Sequence, residues 1–549
     1  MSSKLILLLC LAFLPLISLK TPSSLGATET EARIYYTPRG EWQIVTADFS
    51  EDVNYVATAI YVEMSEEHGW DTLHITTNSM YSDLLQAEAA GRLEGYLTRE
   101  KIFAHYTNLY SVKGALSEEV RTHFQKHEAF MEEIYRTNKD DAQVYNVYLV
   151  HTQFKAMRTQ YNLSMNDTAK IDEIEFYMMP AFGDLMEIEG IYKERKKFSE
   201  MTAEELKMYY FLNSHCSALF KAKEDFSNVF LTHNSWYYYG MMTRIFKEYN
   251  FNFNHPSVKA KNIMFSSYAA TLSSNDDFYV TSQDLGVIET TNIIYNDTLY
   301  TLMKPESFMT WQRVMAANRM SATAEEWGDN FKGYNSGTYN NMYMALDMKN
   351  LNLVNRTIAD KTLFTIEQIP GLIAVNDVTE YLRYGYWPSY NTPFDPEIIK
   401  VSMIKEAIKK NPSLASQIDY DTSTRANIFR RDQGKVVDMD SLKRMIRYNN
   451  YTLDPLTLGD PTASISARGD LKAGKESCYG AYDAKAAQAS ELIGENKTIH
   501  VVAGPTWDDV DPLVFSKAES CAKYKHVGMK DEYKYDWFTV TNKYKMKDY

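Results

Sequence analysis

Cysteine is rare in this chain, and one cysteine stands alone in the stretch NSHCSAL. The 549 residues contain four cysteines, Cys10, Cys216, Cys478 and Cys521. If the peptide bond between His215 and Cys216 were cut, Cys216 would carry both a thiol and a free α-amine. An α-amine has a pKa of about 7.7–8.0 and a thiol about 8.5, so the amine can accept the thiol proton. A residue that is both nucleophile and base can open acyl bonds. A buried, unreactive thiol is the alternative that the spacing leaves open.

The common motifs of other hydrolases and of cofactor enzymes are missing. The sequence has no GxSxG turn, no HExxH helix and no phosphate-binding loop. Its 11 histidines are scattered and form no pattern with cysteine that is typical of a metal site. We therefore expect no metal and no cofactor.

The charge and the N-terminus indicate the compartment. The net charge is −14, which argues against nucleic acid as a partner because phosphate contacts need a basic face. Residues 1–24 have a lysine followed by an apolar run and predict a signal peptide, cut somewhere in 20–27. A membrane anchor is the alternative for this run. We expect a secretory-pathway protein, either lysosomal or secreted.

Glycosylation motifs and cysteine pairing agree with export. Cys478 and Cys521 can form a disulfide, which leaves Cys216 as the odd thiol in an oxidising compartment. N-x-S/T motifs predict glycosylation at six asparagines, Asn162, Asn166, Asn296, Asn355, Asn450 and Asn496.

The elements that would position Cys216 follow from the hydrophobic patterns. Residues 32–79 are rich in strand-like runs, and 82–192 show the three-and-four spacing of helices. A helix is expected over 202–212, where Thr202 and Glu205 resemble a capping box. After Cys216, the runs CSALFKA and NVFLTHNSW predict a hairpin. Further strands, a helical stretch at 306–329 and more strands predict an α+β fold with antiparallel sheets in layers.

Several longer blocks carry a family resemblance over residues 216–507. The chain resembles the phospholipase B-like family in blocks that keep a consistent order: HCSALFKAKEDFSNVFLTHNSW, DDFYVTSQDLGVIETTN, WQRVMAANRM, YNSGTYNNMYMALD, EQIPG, GYWPSYNTPF, IFRRDQGKV, RYNNYTLDPL, ISARGDL and AGPTWD. The N-terminal part resembles the family less specifically. The resemblance implies an N-terminal nucleophile hydrolase with a four-layer αββα sandwich, preceded by a mixed and helical portion.

The resemblance also implies a chain that cuts itself. Residues 28–215 would form an N-terminal chain that stays packed on a catalytic chain, 216–549, and the linker 193–214 would be trimmed or act as a plug. The expected substrate is a phospholipid or another acyl compound. The protein is therefore expected to contact a membrane surface only transiently, as the source of that substrate. A homodimer is a further partner that the resemblance allows.

Candidate site residues follow from matching the blocks. Cys216 falls on the family's nucleophile, and His233 and Trp236 in the second strand of the hairpin can face it. Core packing is the alternative for Trp236 and a structural hydrogen bond the alternative for His233.

Other candidates follow from the related acylases that the fold class includes. Asn335, in NSGTY, is similar to an active-site turn of penicillin V acylase, and its amide could donate to an oxyanion. Thr291 and Asn292 end a predicted strand and are candidates for the other oxyanion donor. Arg383 and Asn391 are candidates for the arginine and asparagine near the nucleophile.

The resemblance therefore implies an acyl hydrolase that removes fatty acyl chains from phospholipids. Two alternatives remain open: an amidase or peptidase acting on N-acyl substrates, and a secreted glycoprotein that binds ligands with little turnover.

Overall fold

The computed structural model describes residues 27–49, 54–193, 196–214 and 216–542. The predicted signal peptide, 1–24, and His215 lie outside these residues. Within this part of the chain, helices and large sheets alternate, and nearly all neighbouring strands run antiparallel. The prediction of an antiparallel α+β fold is confirmed.

The larger sheet has eleven strands in the order β16-β15-β12-β11-β10-β9-β8-β4-β3-β1-β2. All its pairs are antiparallel except β4 with β8. Its strands are β1 Thr28–Tyr36, β2 Trp42–Val45, β3 Ala57–Glu63, β4 Trp70–Thr77, β8 Arg244–Asn250, β9 Asn262–Tyr268, β10 Phe278–Thr281, β11 Leu285–Thr291, β12 Asn341–Asp347, β15 Leu363–Ile369 and β16 Leu372–Asp377.

The second sheet has six strands in the order β17-β5-β6-β19-β20-β23. These are β5 Ser217–Ala222, β6 Val229–Asn234, β17 Tyr386–Ser389, β19 Asp483–Gln488, β20 Thr498–Ala503 and β23 Phe538–Thr541. Three short ladders pair β7 Trp236–Tyr238 with β18 Tyr479–Ala481, β13 Leu351–Asn352 with β14 Thr357–Ile358, and β21 Leu513–Val514 with β22 Glu532–Tyr533.

The helices pack against both sheets. They are α1 Ser65–His68, α2 Asp83–Leu97, α3 Arg99–Lys113, α4 Glu118–Asn138, α5 Ala142–Ser164, α6 Phe182–Tyr192, α7 Ala203–Asn213, α8 Thr310–Met320, α9 Ala324–Phe331, α10 Thr379–Arg383, α11 Pro396–Val401, α12 Ile404–Lys410, α13 Ala415–Ile418, α14 Thr424–Asp432, α15 Met439–Ile446 and α16 Ala489–Leu492. Helix α2 packs on β1, β3 and β4, and α15 packs on β5, β6 and β19. Within the described ranges, no helix has the length and apolar character needed to cross a membrane.

Helices α2 and α5 approach each other closely because α2 carries glycine at the contact. A Cβ at Gly91 would lie 2.1 Å from the backbone oxygen of Gln153, and one at Gly95 would lie 2.3 Å from that of Met157. Only hydrogen fits at these two positions, since real Cβ contacts are longer. Helix α2, which packs on the larger sheet, is therefore also packed tightly against α5.

The hairpin β5–β6 belongs to the second sheet and packs against the larger sheet. Every residue of both strands is buried, and both strands contact β11 of the larger sheet. Ala218 pairs with His233 and Ser217 with Asn234. The hairpin predicted directly after Cys216 is therefore confirmed, as is the capped helix before it, where Thr202 and Glu205 form a capping box on α7.

The predicted disulfide between Cys478 and Cys521 is confirmed, and Cys216 is a free, buried thiol. The glycosylation motifs differ in accessibility. Asn166, Asn355 and Asn496 are exposed, and Asn450 is half-buried. At the other two, the side-chain nitrogen already donates to a backbone oxygen: Asn162 to Ile171 and Asn296 to Val401.

Candidate active site

Cys216 lies immediately before β5, buried between the sheets. Its backbone has a φ of 100°, in the left-handed region that residues with a Cβ avoid at a cost of about 1–3 kcal/mol. Its carbonyl oxygen accepts a hydrogen bond of 2.8 Å from Nη1 of Arg425. Its Sγ lies 3.7 Å from Oε1 of Glu289. The backbone is thus held in a strained form at the residue where cleavage is predicted.

A histidine and a carboxylate share the space with the thiol. Because strands β5 and β6 pair Ala218 with His233, the imidazole is on the face that Cys216 shares. Glu289 reaches the same space from β11 of the opposite sheet. One ligand atom from each of Cys216, His233 and Glu289 lies within 4.8 Å of the other two. A nucleophile, a neutral base and a carboxylic acid therefore converge at one point.

The pKa values in this cluster follow from burial. Burial, and then the charge of Glu289, raises the pKa of the Cys216 thiol, while Lys485 and the backbone N–H of Trp236 oppose the rise. Burial, and then the positive charge of Lys485, holds the pKa of His233 well below its ordinary value. In the uncut chain the thiol and the imidazole are therefore both neutral.

A network of buried charges adjoins Cys216. Asp276 bonds to Arg244 at 2.5 Å and to Lys485 at 3.0 Å. Asp483 bonds to the same two cations at 3.0 Å and 2.9 Å. Lys485 also donates to the hydroxyl of Ser235 at 2.6 Å. The two cations are shared by both carboxylates, which ties β8, β19 and the segment after β6 together.

Two further carboxyl groups in the cluster have raised pKa values. Burial, and then the charge of Asp277, raises the pKa of Glu289 well above its ordinary range. Burial and the charge of Asp276 raise the pKa of Asp277 to about 7. Burial would also raise the pKa of Asp276, but Arg244 and Lys485 outweigh it and keep that group ionised. The cluster holds more carboxyl groups than its cations can neutralise.

Arg425 of α14 binds the start of β5 through one nitrogen of its guanidinium and three other oxygens through a second nitrogen. Nη1 donates to the Cys216 carbonyl and at 3.0 Å to Oγ of Ser217. Nη2 lies 2.7 Å from each of three oxygens: Oη of Tyr210, the backbone oxygen of Tyr390 and Oδ1 of Asn391. Its Cζ lies 4.4 Å from the ring centroid of Trp236.

Trp236 is held next to Cys216 by an asparagine of β6. Oδ1 of Asn234 accepts from Nε1 of Trp236 at 2.8 Å and from the backbone N–H of Ser217 at 2.9 Å. The nitrogen of the same amide donates to two backbone oxygens, those of Ile446 and Ile465. Asn234 therefore positions both the indole and the residue after Cys216.

Of the other predicted site residues, Asn391 and Thr291 are connected to this group. The amide nitrogen of Asn391 donates to the backbone oxygen of Thr291 at 2.9 Å, while its oxygen accepts from Arg425. Asn292 is buried directly after β11, and its backbone N–H donates to Asn340. These residues line the end of β11 that is nearest to the Arg425 guanidinium.

Asn335 and Arg383 are bonded elsewhere. The amide nitrogen of Asn335 donates to the backbone oxygen of Ile369 at 3.0 Å, and its oxygen accepts from the N–H of Gly337. Arg383 forms ion pairs with Asp360 at 2.6 Å and Glu380 at 2.9 Å. The expectation that Arg383 lies near the nucleophile is corrected, because Arg425 occupies that position and Arg383 closes a surface turn. Asn335 likewise has its donor committed to the β15 backbone.

Two small cavities adjoin this group of residues, and Trp236 lines both of them. The first lies on the thiol side and is lined by Phe182, Gly183, Cys216, Ser235, Trp236, Tyr237, Asn275, Asp276, Tyr339 and Tyr482. The second lies beyond Trp236 and Arg425 and is lined by Tyr210, Phe211, Trp236, Ser416, Gln417, Thr424, Arg425, Thr462 and Ala463. Helix α7, which leads to Cys216, contributes Tyr210 and Phe211 to the second cavity and covers it.

Helix α6 covers the first cavity and is anchored by two buried carboxyl groups. Asp184 accepts from the hydroxyl of Thr338 at 2.5 Å, and Glu187 accepts from the N–H of Tyr339 at 3.2 Å. Burial raises the pKa of Asp184 to about 6 and that of Glu187 to about 7, although these hydrogen bonds oppose the rise. The hydroxyl of Tyr339 donates in turn to Glu289.

Replacing Glu187 with glutamine should make the protein less sensitive to alkaline pH. The folded pKa of about 7 lies above the ordinary value of 4.5, so the wild type keeps the stability from this group at acid pH and loses it as pH rises. Glutamine mimics the protonated acid at every pH. The free energy of unfolding of Glu187→Gln, minus that of the wild type, should rise by about 3 kcal/mol between about pH 4.5 and pH 8.

Urea unfolding across this pH range measures that difference. The exposed Glu306→Gln is the matched control and should show a difference that stays constant with pH. A constant difference for Glu187→Gln as well would mean that the carboxyl is ionised in the folded protein at acid pH.

Sequence reasoning missed Arg425, Glu289 and Asn234. Arg425 carries one readable signal, since it lies in helical phase with the apolar residues Ile428 and Phe429, and a charge at a core position often marks a site. Glu289 gives no comparable signal because both faces of β11 are buried, so that alternation of polar and apolar residues is lost.

Comparison with known proteins identifies the family of this chain. The Phospholipase B family model matches residues 57–540. "Phospholipase B-like protein B" of Dictyostelium discoideum is 34% identical over 96% of this chain and 90% of its own length. "Phospholipase B-like 1" of Rattus norvegicus is 34% identical over 96% of both chains. "Phospholipase B-like 1" of Homo sapiens is 34% identical over 89% of this chain and 88% of its own. The chain therefore belongs to the phospholipase B-like family.

Proposed function

We propose that this protein is an N-terminal nucleophile hydrolase that cleaves acyl esters of phospholipids, with Cys216 as the nucleophile. The observation that carries the proposal is the setting of Cys216. It is a free, buried thiol with a strained backbone, it lies immediately before strand β5, and it is beside His233, Glu289 and Arg425. Helices against both sheets support the four-layer sandwich expected for such an enzyme.

The first step in this proposal cuts the chain. The Cys216 sulfur attacks the carbonyl carbon of residue 215 as its proton passes to a nearby base, and the peptide nitrogen leaves as the new α-amine, taking up a proton. Water then hydrolyses the thioester, which frees the thiol and the carboxylate of residue 215. The left-handed backbone of Cys216 favours this step because cutting relieves its strain. His233 is neutral and close enough to act as the base.

The same groups then act on substrate. The α-amine takes the thiol proton, the sulfur attacks the ester carbonyl, and the alcohol leaves with a proton from the amine. Water hydrolyses the acyl-enzyme with the amine as base. We assign the oxyanion donors to the end of β11, at Thr291 and Asn292, and we assign Asn391 a positioning role there because its amide is bonded to Thr291 and Arg425. Each such donor is worth about 3 kcal/mol in comparable enzymes. Asn335 is not part of this assignment because its amide is bonded to Ile369.

Residues 28–215 and 216–549 would then be two chains of one enzyme. The contacts of helix α7 support the proposal that the linker 193–214 blocks the site in the uncut chain. Tyr210 binds Arg425, and Phe211, which lines the second cavity, packs on Tyr479. Removing this linker would open a path to Trp236. The signal-like N-terminus and the glycosylation motifs support passage through the secretory pathway to the lysosome or the medium, and the family supports a homodimer as a further partner.

The ester preference rests on the names of the relatives, among them "Phospholipase B" of Crotalus adamanteus, 34% identical over 89% of this chain. To test it, the cut enzyme is incubated with phosphatidylcholine dispersed in detergent and with N-acyl amides of the same chain length. Release of fatty acid is measured by mass spectrometry. We expect the ester to be hydrolysed at least about tenfold faster than the amides, because an alkoxide leaves more readily than an amine anion.

Faster release from the amides would assign the site to an amidase. A chain that splits but releases fatty acid from neither class would favour a binding role with little turnover. Either result contradicts the phospholipase proposal while leaving Cys216 as the residue at which the chain is cut.

A further inference from the structure

The cluster at Cys216 has the composition and spacing of a zinc site. The ligand atoms of Cys216, His233 and Glu289 all lie within 4.8 Å of one another. Around a tetrahedral Zn²⁺ ion with bonds of about 2.0–2.3 Å, ligand atoms are about 3.3–3.8 Å apart. The 3.7 Å between Sγ and Oε1 already falls in that range. Small side-chain rotations would bring the third ligand into place.

Among the described residues, the imidazole in this cluster has no side-chain hydrogen-bond partner. Neither ring nitrogen of His233 makes a hydrogen bond of normal geometry within the described part of the chain, although the ring interacts with the backbone of Glu289. Its side chain is fully buried, and leaving a buried polar group without a partner is costly. A neutral imidazole with an unused lone pair is the form that ligates Zn²⁺. This second observation distinguishes the cluster from a chance meeting of a thiol and a carboxylate.

We propose that Cys216, His233 and Glu289 bind Zn²⁺, and that the zinc-bound enzyme is inactive. The thiol proton leaves to solvent as the zinc–sulfur bond forms, so the lone pair that attacks substrate is engaged by the metal. After the chain is cut, the α-amine of Cys216 becomes a fourth ligand, because the nitrogen and sulfur of an N-terminal cysteine close a five-membered ring around a metal. The inactivity and the fourth ligand rest on the proposed function, whereas the three side-chain ligands do not.

Co²⁺ is the probe for this site, since it replaces Zn²⁺ and absorbs light where zinc does not. The full protein is titrated under argon, in its cut and uncut forms, as identified by intact mass. We expect one equivalent of Co²⁺ to produce a sulfur-to-cobalt charge-transfer band and visible bands of tetrahedral type, which Zn²⁺ then abolishes. Added Zn²⁺ should stop ester hydrolysis, and a chelator should restore it.

Matched variants identify the ligands. Cys216→Ser should lose the charge-transfer band, and His233→Gln and Glu289→Gln should each weaken Co²⁺ binding at least about tenfold. His151→Gln, at another fully buried histidine on α5, is the control and should bind as the wild type does. Circular dichroism establishes whether each variant is folded. If one of the other variants does not fold, Glu289→Gln, which has nearly the same shape as the wild-type side chain, still tests the site.

Two results would overturn the zinc site: no charge-transfer band in the wild type, or a band unchanged in the folded glutamine variants. A chain that splits and hydrolyses ester but shows no band overturns the zinc site and leaves the proposed function standing. A chain that binds Co²⁺ through all three side chains but never splits supports the zinc site and contradicts the proposed function.

Discussion

Cys216→Ala should yield a single uncut chain that releases no fatty acid. Alanine has no atom that can attack the carbonyl of residue 215, so the α-amine is never freed, and it has no nucleophile for substrate. We expect hydrolysis to fall about a thousandfold or more, to the level of buffer, as is common when a nucleophile is removed. Intact mass measures the cut, and fatty acid release measures the hydrolysis. This is the largest effect that the proposed mechanism predicts.

Two controls make the Cys216→Ala result specific. Thermal unfolding should show a folded protein, because the side chain is small and its hydrogen bond to Glu289, at 3.7 Å from Sγ to Oε1, is long. Cys216→Ser keeps a weaker nucleophile in the same place and should split slowly. Hydrolysis at the wild-type rate by an uncut Cys216→Ala chain would remove Cys216 from the mechanism.

Arg425→Lys should destabilise the protein and slow the cut. The guanidinium bonds to five oxygens in a planar fork, and a lysine ammonium cannot reach all of them from one point. Hydrogen bonds to a buried charge contribute about 1.5–3 kcal/mol each, so losing two should lower the free energy of unfolding by roughly 3–6 kcal/mol. The guanidinium also binds the carbonyl oxygen of Cys216. In the lysine variant the strained backbone at Cys216 should therefore relax, and the cut should become slower.

Urea unfolding and the time course of the cut measure these two effects. Arg430→Lys is the matched control on the same helix. Its guanidinium is exposed and bonds to Asn427 and the Asp421 backbone, so its effect should stay within about 0.5 kcal/mol. Equal stability of the two variants would mean that the hydrogen bonds of Arg425 contribute little to the free energy of unfolding. An unchanged rate of cutting in Arg425→Lys would mean that Arg425 does not maintain the strained backbone at Cys216.

Local features of this fold could be predicted from the sequence. The hairpin after Cys216 follows from two apolar runs with a polar turn between them, and α7 follows from the Thr202–Glu205 capping box. Such signals lie within a few residues of one another. They depend on backbone hydrogen bonding and on which face is apolar, both of which a single segment determines for itself.

The partners of Cys216 could not be predicted in the same way. Arg425 lies 209 residues away along the chain and Glu289 lies 73 residues away. Their positions depend on how the sheets face each other, which no local pattern encodes. Arg383 is a candidate because related acylases have an arginine near the nucleophile, but in this structure it forms ion pairs with Asp360 and Glu380. A charge at a core position of a helix would have been the better criterion for choosing the arginine.

The single parallel strand pair in the larger sheet, β4 with β8, affects whether the protein can refold after it is cut. Strands β1 to β4 precede Cys216 and the other seven strands follow it, and the join is the ladder from Trp70–Arg244 to Thr76–Asn250. Once the chain is cut, this ladder crosses between two polypeptides. An uncut chain can refold at a rate that does not depend on concentration, whereas the cut form must first find its other half. Unfolding of the cut form would thus be effectively irreversible. The lifetime of the active enzyme would then be governed by its rate of unfolding.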